Sequence, residues 1–181
     1  MAQLNEDTIR VIMEIIYHAD INPPWTVLAT LSLVCRAWAR HAQTLLYASV
    51  RIWTLHQLRC FLAATDTATA RGRDLGSAVR ILSVTVYPVA YVTRVVSTQL
   101  PELLARCPKL YELRIILEEM ERWAPETLEE LRKSSPPIMA LRLRDGMERG
   151  EAARQLLHVW PSIRHLAIRS SSIDHLEPDG K

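Results

Sequence analysis

Glycine is scarce in this sequence, 5 of 181 residues, and none stands in a GxGxxG or GxxxxGK[ST] run. Without such a loop no cradle of backbone N–H groups awaits a phosphate, and nucleotide chemistry has no support. Cysteine is scarcer still. Cys35, Cys60 and Cys107 form no CxxC or zinc-finger spacing, and an odd count argues against a disulfide framework and for a reducing compartment. The histidines, His18, His41, His56, His158, His165 and His175, show neither HExxH nor a cluster with cysteine, so no metal site can be built from spacing and no cofactor is expected. For nucleophilic catalysis only Cys35 and His41 stand near each other, six apart in one helical stretch, which points their side chains in different directions. Cys35 is instead expected as a buried structural thiol beside Leu31 and Trp38.

Long apolar runs are missing too. The longest, over residues 25–35, contains Thr26, Thr30 and Ser32 and stops at Arg36, short of the roughly 18 to 20 residues that span a bilayer. The opening Met1-Ala2-Gln3-Leu4-Asn5-Glu6-Asp7 lacks the basic and apolar regions of a signal peptide. Neither sign of charge dominates: 22 Lys+Arg face 20 Asp+Glu, a net +2, too balanced for the concentrated field that nucleic acid or anionic membranes require. These absences predict a soluble intracellular protein, cytoplasmic or nuclear, with no nucleic-acid and no membrane partner.

What is present is ordinary globular material, 49% hydrophobic and 23% charged, enough for one domain plus a small module. At this length folding buries about 70% of the surface of the unfolded chain. Over residues 5–17 a polar, acidic opening precedes Ile9, Ile12, Met13 and Ile16 at helical spacing. Pro23-Pro24 ends that helix. Leu28, Leu31, Val34, Cys35, Trp38, Ala42, Leu45 and Leu46 then recur at steps of mostly three and four, a second helical stretch with a bend or break near Ser32. Residues 50–53 alternate like a strand and 55–64 return to helical spacing. Residues 65–78, poor in large apolar side chains and carrying Gly72 and Gly76, read as a connecting loop.

From Val79 onward a unit repeats. Val79-x-x-Leu82-x-Val84 is matched by Leu110-x-x-Leu113-x-Ile115, Ile138-x-x-Leu141-x-Leu143 and Ile163-x-x-Leu166-x-Ile168, at intervals of 31, 28 and 25 residues. Helical patterns over 92–106, 125–133 and 151–160 lie between them. Pro108, Pro136-Pro137 and Pro161 each fall just before a strand, where proline ends the helix and is tolerated at the strand entrance. One strand and one helix per period near 30 residues is the construction of leucine-rich repeats; chance matches in any α/β protein are the competing explanation.

Arginine supplies 19 of the 22 basic residues. Arg114, Arg142, Arg144 and Arg169 alternate with the buried positions and so belong to the opposite strand face, while Arg80 and Arg164 fall at strand entrances. Such a face either meets a partner, where guanidinium forks onto carboxylates, or only keeps the sheet soluble. Paired acids at Glu118-Glu119-x-Glu121 and Glu129-Glu130 sit beside Arg122, Arg132 and Lys133, a solvated helix face rather than an acid/base pair.

Residues 4–47 resemble an F-box of the fungal type. Leu4-Asn5-Glu6-Asp7-Thr8-Ile9 followed by Ile12-Met13 is similar to the family's "LPxEIL…IF" opening, with Asn5 in place of proline. Leu28-Ala29-Thr30-Leu31-Ser32-Leu33-Val34-Cys35-Arg36-Ala37-Trp38 is very like its "L..LSLVCRxW" signature, and Leu45-Leu46-Tyr47 follows. The resemblance implies docking onto a Skp-type adaptor, and through it a cullin ubiquitin ligase, by Leu4, Ile9, Ile12, Met13, Leu28, Leu31, Val34, Cys35, Trp38 and Leu46, a mixture of docking contacts and internal core. It implies further that the strand-helix units recognise a protein substrate through Arg114, Arg142, Arg144 and Arg169. The expected fold is an α+β or α/β solenoid: an F-box-like helical module over residues 1–48, then a short leucine-rich-repeat-like array over 49–181. The expected function is a non-enzymatic substrate-recognition subunit. The alternatives are an interaction scaffold of the same fold and a small α/β enzyme with a doubly wound sheet.

Overall fold

The structure, a computed structural model, describes residues 5–18, 24–87, 97–117, 122–134, 136–145 and 151–170. Three helices come first. Helix α1 (Glu6–His18) carries Glu6 and Asp7 in its first turn, the end at which the helix dipole favours negative charge. Helix α2 (Pro24–Leu31) starts on a proline, which lacks only an N–H that the first turn leaves unpaired. A turn over residues 32–34 separates it from α3 (Arg36–Ala48), so the helical stretch breaks where Ser32 suggested. Ile9, Met13, Leu28 and Ala42 form a small apolar cluster, with Ile16, Tyr17, Leu31, Trp38, Leu45 and Leu46 packed against it.

Strand β1 (Ser49–Ile52) follows α3 without an intervening residue. Next come α4 (Leu55–Ala64), α5 (Ala70–Ala78), β2 (Ile81–Val86), a 3-10 turn (Ser97–Gln99), α6 (Leu100–Ala105), β3 (Glu112–Leu117), α7 (Pro125–Ser134), β4 (Ala140–Asp145), α8 (Glu151–Val159) and β5 (His165–Ser170). Thr54 closes a capping box at the start of α4: its side chain accepts from the Gln57 N–H while the Gln57 side chain accepts from the Thr54 N–H.

Residues 65–78 are not the loop their composition suggested. They contain α5, whose Thr69 side chain caps the Gly72 N–H at 2.9 Å. The glycines that weaken its intrinsic propensity serve close packing instead: a Cβ on Gly72 would lie 2.0 Å from the Asp66 carbonyl oxygen, and one on Gly76 2.2 Å from that of Arg106. The helical pattern expected over 92–106 is realised only as the 3-10 turn and α6; residues 92–96 lie outside the described residues.

All five strands are parallel and ordered β1-β2-β3-β4-β5. Each pairs with its neighbours in sequence, so the sheet has no reversal of strand order of the kind that makes the crevice of a doubly wound fold. The repeat is the register. Leu82, Leu113, Leu141 and Leu166 stand side by side, as do Val84, Ile115, Leu143 and Ile168. The first apolar position of three units closes a tight turn, Val79 N–H onto Gly76, Leu110 onto Cys107 and Ile163 onto Trp160. Just before the strands, the carbonyls of Arg80, Tyr111 and Met139 each accept two N–H groups of the next unit.

The helices supply Leu58, Phe61, Leu100, Leu103, Leu104, Leu131, Ala152 and Leu156 to one apolar cluster with the inward strand residues. Trp123 ties two units together, its indole N–H donating to the Ala152 carbonyl at 3.1 Å. The last strand is the exception, for Leu166 and Ile168 are 46% and 53% exposed. No helix among the described residues is long and apolar enough to cross a membrane.

Candidate functional site

The first surface is the apolar side of the amino-terminal helices. On α1, Ile9 and Met13 turn inward, whereas Val11 and Ile15, one helical turn apart, are 47% and 64% exposed. Trp25 on α2 is also exposed. The turn between α2 and α3 is wound by backbone bonds from Ser32 to Leu28, Leu33 to Thr30 and Val34 to Leu31, and the Ser32 hydroxyl donates to the Ala29 carbonyl at 2.6 Å. That winding projects Leu33 and Val34 outward, 85% and 60% exposed. Soluble proteins seldom display adjacent large apolar groups this openly without a partner.

The residues the F-box resemblance singled out fall into groups. Ile9, Met13 and Leu28 are buried; Ile12, Leu31, Trp38 and Leu46 are half-buried; Val34 and Cys35 are exposed; Leu4 lies outside the described residues. Cys35 is therefore not the buried thiol expected, because the break after Leu31 takes it off the helical stripe and makes it the extended residue preceding α3. The buried thiol is Cys107, whose pKa is pushed up to about 12 by desolvation. Burial also raises the Tyr47 phenol above its ordinary value, with Arg71 nearby opposing the shift. Val11, Ile15, Trp25 and Leu33 are the exposed apolar side chains of this region that the resemblance did not single out. Val11 and Ile15 are out of phase with the buried stripe of their helix, and Leu33 lies in the turn.

The second surface is the strand face turned away from the helices. In register across the sheet it carries Arg51, Ser83, Arg114, Arg142 and Ala167, then Thr85, Ile116, Arg144 and Arg169. Ahead of both lie Ile81, Glu112, Ala140 and His165. Arg142 and Arg144 are exposed, as is Arg169 on β5. Glu112 is the lone carboxylate among the described residues of this face, its side chain 9% exposed; one oxygen accepts the Arg114 Nε–H at 2.7 Å and lies 2.6 Å from the Arg142 Nε as an ion pair. A shallow groove lined by Tyr111, Glu112, Ala140, Arg142, Arg164 and His165 runs beside this pair. Arg80 and Arg164 precede β2 and β5 at the strand entrances.

Other titratable neighbours lie away from this face. His41 faces Glu6 at 3.3 Å across α1 and α3, Arg132 pairs with Glu129 within α7, and the Cys60 thiol lies 3.6 Å from His56 one turn away in α4. Among the described residues no group of three or more His, Cys, Asp or Glu side chains could hold a metal ion. Searches for similar proteins return no matching family model, no matching curated protein and no matching solved structure.

Proposed function

We propose that this chain is an F-box protein, the substrate-recognition subunit of an SCF-type ubiquitin ligase. Its amino-terminal helices dock on a Skp-type adaptor in the cytoplasm or nucleus. The strand-helix units that follow form a leucine-rich-repeat-like solenoid whose open strand face receives the protein to be ubiquitylated, and bond-making chemistry belongs to the partner subunits. The observation that carries this reading is the patch of Leu33 and Val34, held outward by the turn between α2 and α3 inside the stretch that resembles the family signature. In-register repetition of the unit supports the second half.

The test is a pull-down with a Skp-type adaptor using Leu33→Asp together with Val34→Asp. Both side chains stand in solvent, so the fold survives the change, and binding is expected to fall by more than tenfold. Retention of wild-type binding sinks the docking half.

A scaffold in which the same helices only cap the repeats is the second reading. It is favoured by the direct passage of α3 into β1, by the Arg71 to Gln43 hydrogen bond at 3.1 Å between α5 and α3, and by the Arg51 guanidinium 5.8 Å from the Trp25 ring centre. It predicts a well-behaved monomer without adaptor. The ligase reading predicts aggregation unless adaptor is co-expressed.

A further inference from the structure

The open strand face is uneven in its charge. Apart from Arg51 on β1, its arginines come in two neighbouring-strand pairs, Arg114 with Arg142 on β3 and β4 and Arg144 with Arg169 on β4 and β5. The first pair already shares one acid of its own. Glu112 stands two residues before Arg114, and one of its carboxylate oxygens accepts the Arg114 Nε–H at 2.7 Å and lies 2.6 Å from the Arg142 Nε. The second pair has the same relation across adjacent strands, yet the residue two before Arg144 is Arg142, a cation where the first pair has an acid. Among the described residues neither Arg144 nor Arg169 makes an ion pair, and both are exposed.

From this asymmetry we infer that the target bound on this face is an extended acidic segment, one of whose carboxylates enters between Arg144 and Arg169 as Glu112 does between Arg114 and Arg142. The inference rests on the strand face being the target surface of the proposed function. Adjacent strands lie about 4.8 Å apart, so one carboxylate reaches guanidinium groups on both. Arginine is suited to this because its planar donors fork onto carboxylate oxygens. Along a strand, side chains of one face recur every two residues, about 6.6 Å. An extended partner laid along β4 repeats at the same interval, which favours acids at alternate positions, with one on Arg144 and the next over the guanidinium edge of Arg142. Half-buried Ile116, in the row of Arg144, supplies a dry neighbour that strengthens the charge contact.

The probe is a fluorescent eight-residue peptide alternating Glu and Ser, its Gln-for-Glu counterpart and a phosphoserine peptide of equal charge, titrated against the full chain, purified with adaptor or alone. The Glu peptide is expected to bind, its Gln counterpart to fail, and Arg144→Gln with Arg169→Gln to weaken binding about tenfold. The same charge change on the helices, Lys133→Gln with Arg154→Gln, is expected to stay within twofold. Arg169→Gln alone, on the outermost strand, gives a milder variant with the same direction of effect, and thermal melting checks that each variant is folded. Equal losses in the sheet and helix double variants, no binding of the Glu peptide, or binding of the phosphoserine peptide alone each overturn the inference. Adaptor capture reads Leu33 and Val34 and none of these arginines, so a failure here is distinguishable from a failure of the ligase reading.

Discussion

At Gly76 two effects of opposite sign meet. Alanine is worth about 1 kcal/mol more than glycine in a helix interior, but here its Cβ would fall 2.2 Å from the Arg106 carbonyl oxygen, and backbone cannot step aside as a flexible side chain can. The clash wins: Gly76→Ala should lower stability by about 1 to 3 kcal/mol in urea unfolding. Cysteines separate in the same way by environment. Cys35 and Cys60 are exposed and Cys107 is buried, so alkylation of the native protein should modify the first two and reach Cys107 only on unfolding. The Cys107 thiol also makes stability depend on alkaline pH. Its folded pKa of about 12 lies above the value of the unfolded thiol, so its contribution is complete below about pH 8.5 and is lost as pH rises from there toward the folded value. The urea midpoint should therefore fall between about pH 8.5 and 10, and fall less in Cys107→Ala. None of this was legible in the sequence, where Cys35 and Cys107 each have an arginine as one neighbour and it is the break after Leu31 that takes Cys35 out of the apolar stripe.

At the scale of elements, pattern and energy part company. Leu113 and Ile168 both belong to the apolar positions of the repeated unit, yet Leu113 is fully buried and Ile168 is 53% exposed. Leu113→Ala should cost about 2 to 5 kcal/mol, whereas Ile168→Ala should change stability by about 0.5 kcal/mol or less. Amide exchange should follow the same gradient, slowest in β3 and fast in β5. The sequence revealed these strands because their apolar spacing coincides with the observed register, position by position. It hid α5 because Leu75 is the one large apolar side chain in that helix; a side-chain cap at Thr69 and two packed glycines make it, and those are tertiary facts. The proposed docking surface was half legible for a related reason. Periodicity finds Ile9, Met13 and Leu28, which build the small core, while the exposed apolar patch consists of what that core leaves out, Val11, Ile15, Leu33 and Val34.

Across the whole molecule, two apolar clusters of unequal size share one chain. The smaller has four buried members and leaves a comparable number of large apolar groups in solvent, so its stability should respond to a partner more than that of the sheet does. Adaptor added in excess should raise the melting temperature of the full chain, by mass action on the folded form. The sheet has a different kind of freedom. Six consecutive residues of β3 face six of β2 and six of β4 without a bulge, and the interval from Glu112 to Ala140 is 28 residues. Excision of residues 112–139 would bring Ala140–Asp145 alongside Ile81–Val86, Leu141 taking the seat of Leu113 and Leu143 that of Ile115. Strand number in this chain is thus an editable length, shortened or extended by whole units with no rethreading of what remains.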